Sequence, residues 1–189
     1  MIVVTAATKG GASKTTTAVC LAYEASEQGL DAVLVDLDPQ GAGAKWAQGL
    51  GIPAPHVRNA KDVQDACASH DLAFVDTPPG ADPRTVAALE AADVVIVPTG
   101  LGPGDIDALG DILRMVEPDF IIPTRFDARR AIHGHGMTYL KSRFPNQLTT
   151  AVPSATSVEW AQASQEALPP LSRPAVAYRM ILEEILKGH

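Results

Sequence analysis

The run Thr8-Lys9-Gly10-Gly11-Ala12-Ser13-Lys14-Thr15-Thr16 constrains this chain more than any other stretch. A β-branched segment, Ile2-Val3-Val4-Thr5, precedes it, and an apolar-periodic segment, Ala18 to Ala25, follows. Strand, glycine-rich turn and helix in that order make the setting of a phosphate-binding loop. Backbone N–H groups at a helix N-terminus have no intrahelical partner and sit at the positive end of the helix dipole. Glycines let the backbone wrap closely around an anion. Lys14 and the hydroxyl of Thr15 then complete a site for a phosphate and a metal ion. The common loop reads G-x-x-x-x-G-K-[ST]. Here Thr8 and Ser13 stand at its two glycine positions, and an extra lysine, Lys9, lies near the start.

The rest of the chain alternates β-rich and helical segments. Strands are expected at Val33–Asp36, Leu72–Asp76, Asp93–Val97 and Phe120–Ile122, with a weaker one at Thr149–Val152 and a short extended piece near His56 to Arg58. Several runs are continuously apolar, as in strands buried on both faces of a parallel sheet. Between them lie segments of helical period. Asp105 to Val116 puts Ile106, Leu109, Leu113 and Val116 on one face, which suits a helix covering a sheet. The expected fold is α/β: a doubly wound, mostly parallel sheet with helices on both faces, in a single domain over residues 1–189. Ligands in such sheets bind beyond the carboxyl ends of the strands.

Two of those ends are acidic. Asp36-Leu37-Asp38-Pro39-Gln40 closes one strand and Asp76-Thr77-Pro78-Pro79-Gly80 another. Alone, either reads as a strand-to-turn transition with a capping Asp. Downstream of a phosphate loop they supply what a metal–triphosphate site needs: carboxylates that hold a hydrated Mg²⁺ and one that aims an attacking water.

Composition sets bounds. Aromatic residues are 5% of the chain, so Val, Ile, Leu and Ala must build the core. The net charge of −7 argues against a generally nucleic-acid-coating protein but leaves room for a local basic patch. Cys20 and Cys67 stand far apart without metal-ligand spacing, as expected of buried thiols in a reducing compartment. The chain opens directly on a strand, so no secretory leader is expected, and no apolar run is long enough to span a bilayer.

Taken together, KGGxxKTTT, DLDPQ and FVDTPPG resemble the deviant-Walker ATPases of the ParA/MinD superfamily. Ala92-Asp93-Val94-Val95-Ile96-Val97-Pro98 and Ala151-Val152-Pro153 through Gln165 resemble later segments of that family, and the length resembles its small plasmid-partition ParA members. The resemblance implies ATP and Mg²⁺ as cofactors. It implies that Lys14 grips the terminal phosphates and that Gly10, Gly11, Ala12, Ser13 and Thr16 line the cradle. Thr15 would ligate Mg²⁺, with Asp36 and Asp76 holding metal-bound waters, and Asp38 would position the hydrolytic water. Lys9 would be the signature lysine that reaches the partner's nucleotide in a face-to-face, ATP-dependent homodimer. Pro153 falls in the segment that surrounds the base. Many relatives read adenine with an Asn where Thr124 stands here.

Arg125, Arg129, Arg130, Lys141 and Arg143 form a basic cluster opposed only by Asp127. It reads either as a patch for nonspecific DNA or as a solvated helix face. The His133–Gly136 run lacks carboxylate or cysteine partners for a metal. The helix from Ala175 to Lys187, with Val176, Met180, Ile181, Ile185 and Leu186, carries few basic residues and is expected to pack on the sheet rather than lie on a membrane. Trp46 and Trp160 are expected to serve packing or an interface. The reading is a ParA-type ATPase for plasmid or chromosome partition, cytoplasmic and nucleoid-associated when ATP-bound, stimulated by a ParB-like or small centromere-binding partner. Alternatives are a MinD-like positioning ATPase at a membrane surface and an ATP-dependent metabolic enzyme of the same superfamily.

Overall fold

The strands form where β-branched and apolar residues run together, and each stops at a turn former or a proline. The computed structural model describes residues 1–59, 62–80 and 82–188. Along them run β1 (Ile2–Thr5), α1 (Lys14–Glu27), β2 (Ala32–Asp36), α2 (Ala42–Gly49), α3 (Val63–Cys67), β3 (Leu72–Asp76) and α4 (Pro83–Glu90). After these come β4 (Val94–Thr99), α5 (Pro103–Ile112), β5 (Phe120–Pro123), α6 (Ala131–Arg143), α7 (Thr156–Ser164) and α8 (Arg173–Gly188).

All strand pairs are parallel and the order is β2-β3-β1-β4-β5. Side chains alternate across a strand, so one apolar run feeds two cores. Val3, Leu34, Phe74, Ile96 and Ile122 point to the side covered by α1, α2 and α8. Val4, Val33, Val35 and Val75 meet α3 and α4, while Val95, Val97 and Ile121 meet α5 and α6. The sheet is therefore doubly wound, with β1 at its centre. The chain first leaves β1 toward β2 and later returns past it to β4, which makes the carboxyl end of β1 the topological switch point.

The differences from expectation have physical reasons. Thr149–Val152 is not a strand. It runs beside β5 through isolated bridges, Ile121 with Leu148 and Phe126 with Pro153, and Pro153 has no N–H to continue a ladder. The piece near His56 likewise makes one bridge, with Asp36. Pro53 and Pro55 accept from Leu34 and Asp36 through their carbonyls but cannot donate back. The helix expected over 105–116 starts two residues earlier, where Pro103 fits its first turn, and ends at Ile112. On α8 the buried stripe is Tyr178, Ile181, Leu182 and Ile185, whereas Val176, Met180 and Leu186 face outward. Cys20 and Cys67 are free buried thiols whose pKa values burial raises. Among the described residues no helix is long and apolar enough to cross a membrane.

Candidate functional site

The turn after β1 and the start of α1 build an anion cradle from backbone. Gly11 (φ +74°) and Ser13 (φ +70°) both adopt the left-handed region, which bends the chain so that α1 begins at the mouth of the sheet. The Ser13 side chain makes no capping bond, so the first-turn amides of α1 stay available. Added Cβ atoms at Gly10 and Gly11 would meet nothing within 4 Å, so these glycines leave open space rather than fill a contact. Lys14 is buried at 7% exposure beneath the cradle. Burial lowers its pKa, and the carboxylates of Asp76 and Asp38 pull it back up.

The acidic side comes from the ends of β2 and β3, which stand in register with Asp36 opposite Asp76. Both are fully buried. Asp36 accepts from the Ala44 amide at 2.7 Å and the Asp38 amide at 2.9 Å, so it ties the start of α2 to the turn that carries Asp38. Neither oxygen of Asp76 completes a well-formed hydrogen bond. Burial pushes its carboxyl up to about 7, against the pull of the nearby Thr15 hydroxyl and of Lys14. A buried carboxylate with open lone pairs beside a hydroxyl is the donor set a hard divalent cation prefers. Thr15 and Asp76 thus fit a Mg²⁺ site, with Asp36 as its support.

These parts converge on a cavity of about 430 Å³. Gly10 through Thr16 and Asp38 line one end, and Thr124, Arg125 and Pro153 line the other. The far wall adds Ala155, which precedes α7, and Val158, Glu159 and Gln162 on one face of that helix; they fall within the base segment expected through Gln165, though the sequence singled out only Pro153 there. Thr124 is buried, and its hydroxyl donates to the Thr99 carbonyl at 3.2 Å. Its hydrogen is therefore committed, and only its oxygen lone pairs are left for a base.

The five basic residues stand in different settings. Arg125 (φ +56°) lies at the cavity, with a guanidinium nitrogen 3.6 Å from Asp105. Lys9 reaches the same carboxylate at 3.0 Å. Arg129 makes a two-pronged pair with Asp127, both contacts at 2.9 Å. Arg130, just before α6, and Lys141 and Arg143 in its last turn are exposed. His133 accepts the Asp127 amide through Nδ1, and no group of three or more His, Cys, Asp or Glu side chains placed to hold a metal occurs among the described residues. Trp46 is core and donates to the Glu166 carbonyl, while Trp160 is 71% exposed.

A parallel sheet with a lysine-bearing loop at its switch point defines a phosphate-loop nucleotide-binding domain. A family model described as the CobQ/CobB/MinD/ParA nucleotide binding domain matches residues 3–168, and the chain belongs to that family. It is similar to a maintenance of carboxysome distribution protein A of Gloeobacter kilaueensis, at 37% identity over 135 residues. That match takes in 64% of this chain and 61% of the relative's length. The chromosome-partitioning ATPase Soj of Thermus thermophilus is 25% identical, with 94% of this chain and 92% of that one covered. A crystal structure of a putative plasmid partition protein from Borrelia burgdorferi, bound to AMPPNP, superposes with a TM-score of 0.77 at 20% identity, covering 100% of this chain and 99% of that one.

Proposed function

We propose that this chain is a Mg²⁺-dependent ParA-type ATPase that partitions a large cargo, by preference a plasmid or chromosome. The observation that carries the reading is the meeting of an uncapped α1 N-terminus, buried Lys14 and Asp38 at one cavity, with the buried Asp36 and Asp76 in register at the adjoining strand ends. In this reading the α1 amides and Lys14 bind the phosphates of ATP. Thr15 and Asp76 hold Mg²⁺, which neutralises charge on the phosphate oxygens. Asp38, at the cavity rim, orients water. Pro153 and the α7 face enclose the base.

The reading continues to an ATP-dependent homodimer, with Lys9 directed at the partner's nucleotide. Nonspecific DNA would meet Arg130, Lys141 and Arg143, the cations of the basic cluster that hold no carboxylate, and salt would weaken that binding steeply. A ParB-like or centromere-binding partner would stimulate turnover and release the DNA. The names of the relatives, two concerned with partition and one with carboxysome distribution, support a positioning role.

The test is ATP turnover by wild type and Lys14→Ala, with and without DNA. Turnover should fall by about a hundredfold or more in the variant. Unchanged turnover would remove the assignment.

A further inference from the structure

The signature-position lysine is engaged within its own subunit. Lys9 Nζ lies 3.0 Å from Asp105 Oδ1, and Arg125 reaches that same oxygen at 3.6 Å. The other oxygen of Asp105 accepts the Gly102 amide at 3.3 Å, which fixes the carboxylate on the first turn of α5. Thr8 adds a second tie between loop and helix, donating to the Ala108 carbonyl at 3.0 Å. The arrangement is built in. A Cβ at Gly100 would press on the Asp105 carboxylate and stand 2.8 Å from an Arg125 nitrogen, so a larger residue there would shift one or both of these side chains. Arg125 is held there from a left-handed backbone that few non-glycine residues adopt.

Asp105 does not line the phosphate cavity. It lines a neighbouring space of about 350 Å³ that shares Gly10, Gly11 and Arg125 with that cavity, together with Lys9 and Arg130. It therefore meets the nucleotide only through the cations it holds. One carboxylate shared between two cations is in direct competition with any anion that approaches either of them.

We propose that Asp105 is a positioning residue that restrains Lys9 on its own subunit and so sets the nucleotide concentration at which two copies of the chain pair. The inference rests on the nucleotide-dependent dimer of the preceding reading. Phosphate groups brought opposite Lys9 by a second copy take the lysine from Asp105, and Arg125 remains to balance the carboxylate. Removing the carboxylate charge frees Lys9 in advance and makes pairing easier.

The experiment is sedimentation velocity during titration with AMPPNP, which avoids turnover. Asp105→Asn and Asp105→Ser both retain an acceptor for the Gly102 amide. Both should lower the half-point for dimer formation by about two- to tenfold, the range of one or two part-exposed ion pairs. Asp105→Glu keeps the charge and should stay near wild type. Asp111→Asn, which removes a surface pair with Arg114 beyond the cavity, should also leave the half-point in place. Half-points that do not fall in the Asn and Ser variants overturn the proposal, as does an equal fall in the Glu variant. Loss of fold in both neutral variants assigns Asp105 a structural role and overturns it too. A wild type that binds AMPPNP without dimerising overturns the underlying reading instead.

Discussion

Asp36 and Asp76 face each other across adjacent strand ends, and the backbone of Gly43 closes over both. A Cβ at position 43 would stand 3.1 Å from an oxygen of each. Replacing a helical glycine by alanine ordinarily stabilises by about 0.5–1 kcal/mol. Here the added methyl presses on two buried carboxylates, one of them fixed by the Ala44 amide. Overpacking of this kind costs about 1–3 kcal/mol. Gly43→Ala should therefore be net destabilising by about 1 kcal/mol, read as a lower urea midpoint at unchanged slope.

The environment of Asp76 makes stability depend on pH. Its carboxyl is raised to about 7 by burial, against about 3.9 in an unfolded chain. Between those values the native state keeps a proton that the unfolded state has lost. The stabilisation is full below about pH 4 and fades as pH rises toward 7. Asp76→Asn should flatten that slope and should be more stable than wild type at pH 8, by on the order of 1–3 kcal/mol. Mg²⁺ with nucleotide should narrow or reverse the ranking, raising the melting temperature of wild type more than that of the variant. Melting curves at pH 4 to 8, with and without Mg²⁺ and nucleotide, check both statements.

The sheet was legible in the sequence because its strands carry the whole signal themselves. Val33–Asp36 and Leu72–Asp76 are apolar on both faces, end in turn formers and need no partner to be recognised. The flanking extended segments were harder. At 53–57 and 149–153 prolines remove ladder donors, and only the fold shows which carbonyls still pair. The phosphate loop and the two acidic corners could be read because each lies within a few consecutive residues. The base segment through Gln165 was expected, but its individual wall residues, Val158, Glu159 and Gln162, were not singled out although they follow helical spacing. Nothing local says which face of a helix looks into a cavity. The partners of Lys9 and Arg125 were beyond reach for the same reason: Asp105 is distant from both in the chain and becomes a neighbour only when α5 lies beside the loop.

Ser13 offers a test of the loop's strain. Its φ of +70° places a Cβ where the left-handed region penalises it, by about 1–2 kcal/mol. Its side chain makes no capping bond that a substitution would lose. Glycine removes the penalty but loses about 0.5–1 kcal/mol through unfolded-state entropy. Ser13→Gly should thus stabilise by about 0.5–1 kcal/mol, seen as a higher urea midpoint. Ser13→Ala, which keeps the Cβ, should stay near wild type. A gain in Ser13→Ala equal to that in Ser13→Gly would place the cost in the hydroxyl rather than in the backbone.

Thr124 separates base recognition from packing. Its hydroxyl is buried against the Thr99 carbonyl at the end of the neighbouring strand, where it joins β4 to the turn after β5. Thr124→Val keeps the shape and removes that hydrogen bond, leaving the Thr99 carbonyl one partner fewer, though it still accepts the Thr124 amide at 2.8 Å. Loss of one such bond costs about 0.5–1.5 kcal/mol. The variant should lose about that much stability while its affinity for ATP, measured by calorimetry, stays within about twofold of wild type. Gln162→Ala, on the α7 wall, should do the reverse: it should weaken ATP, narrow the preference for ATP over GTP and leave the urea midpoint in place. A tenfold loss of ATP affinity in Thr124→Val with stability intact would return base reading to the end of β5.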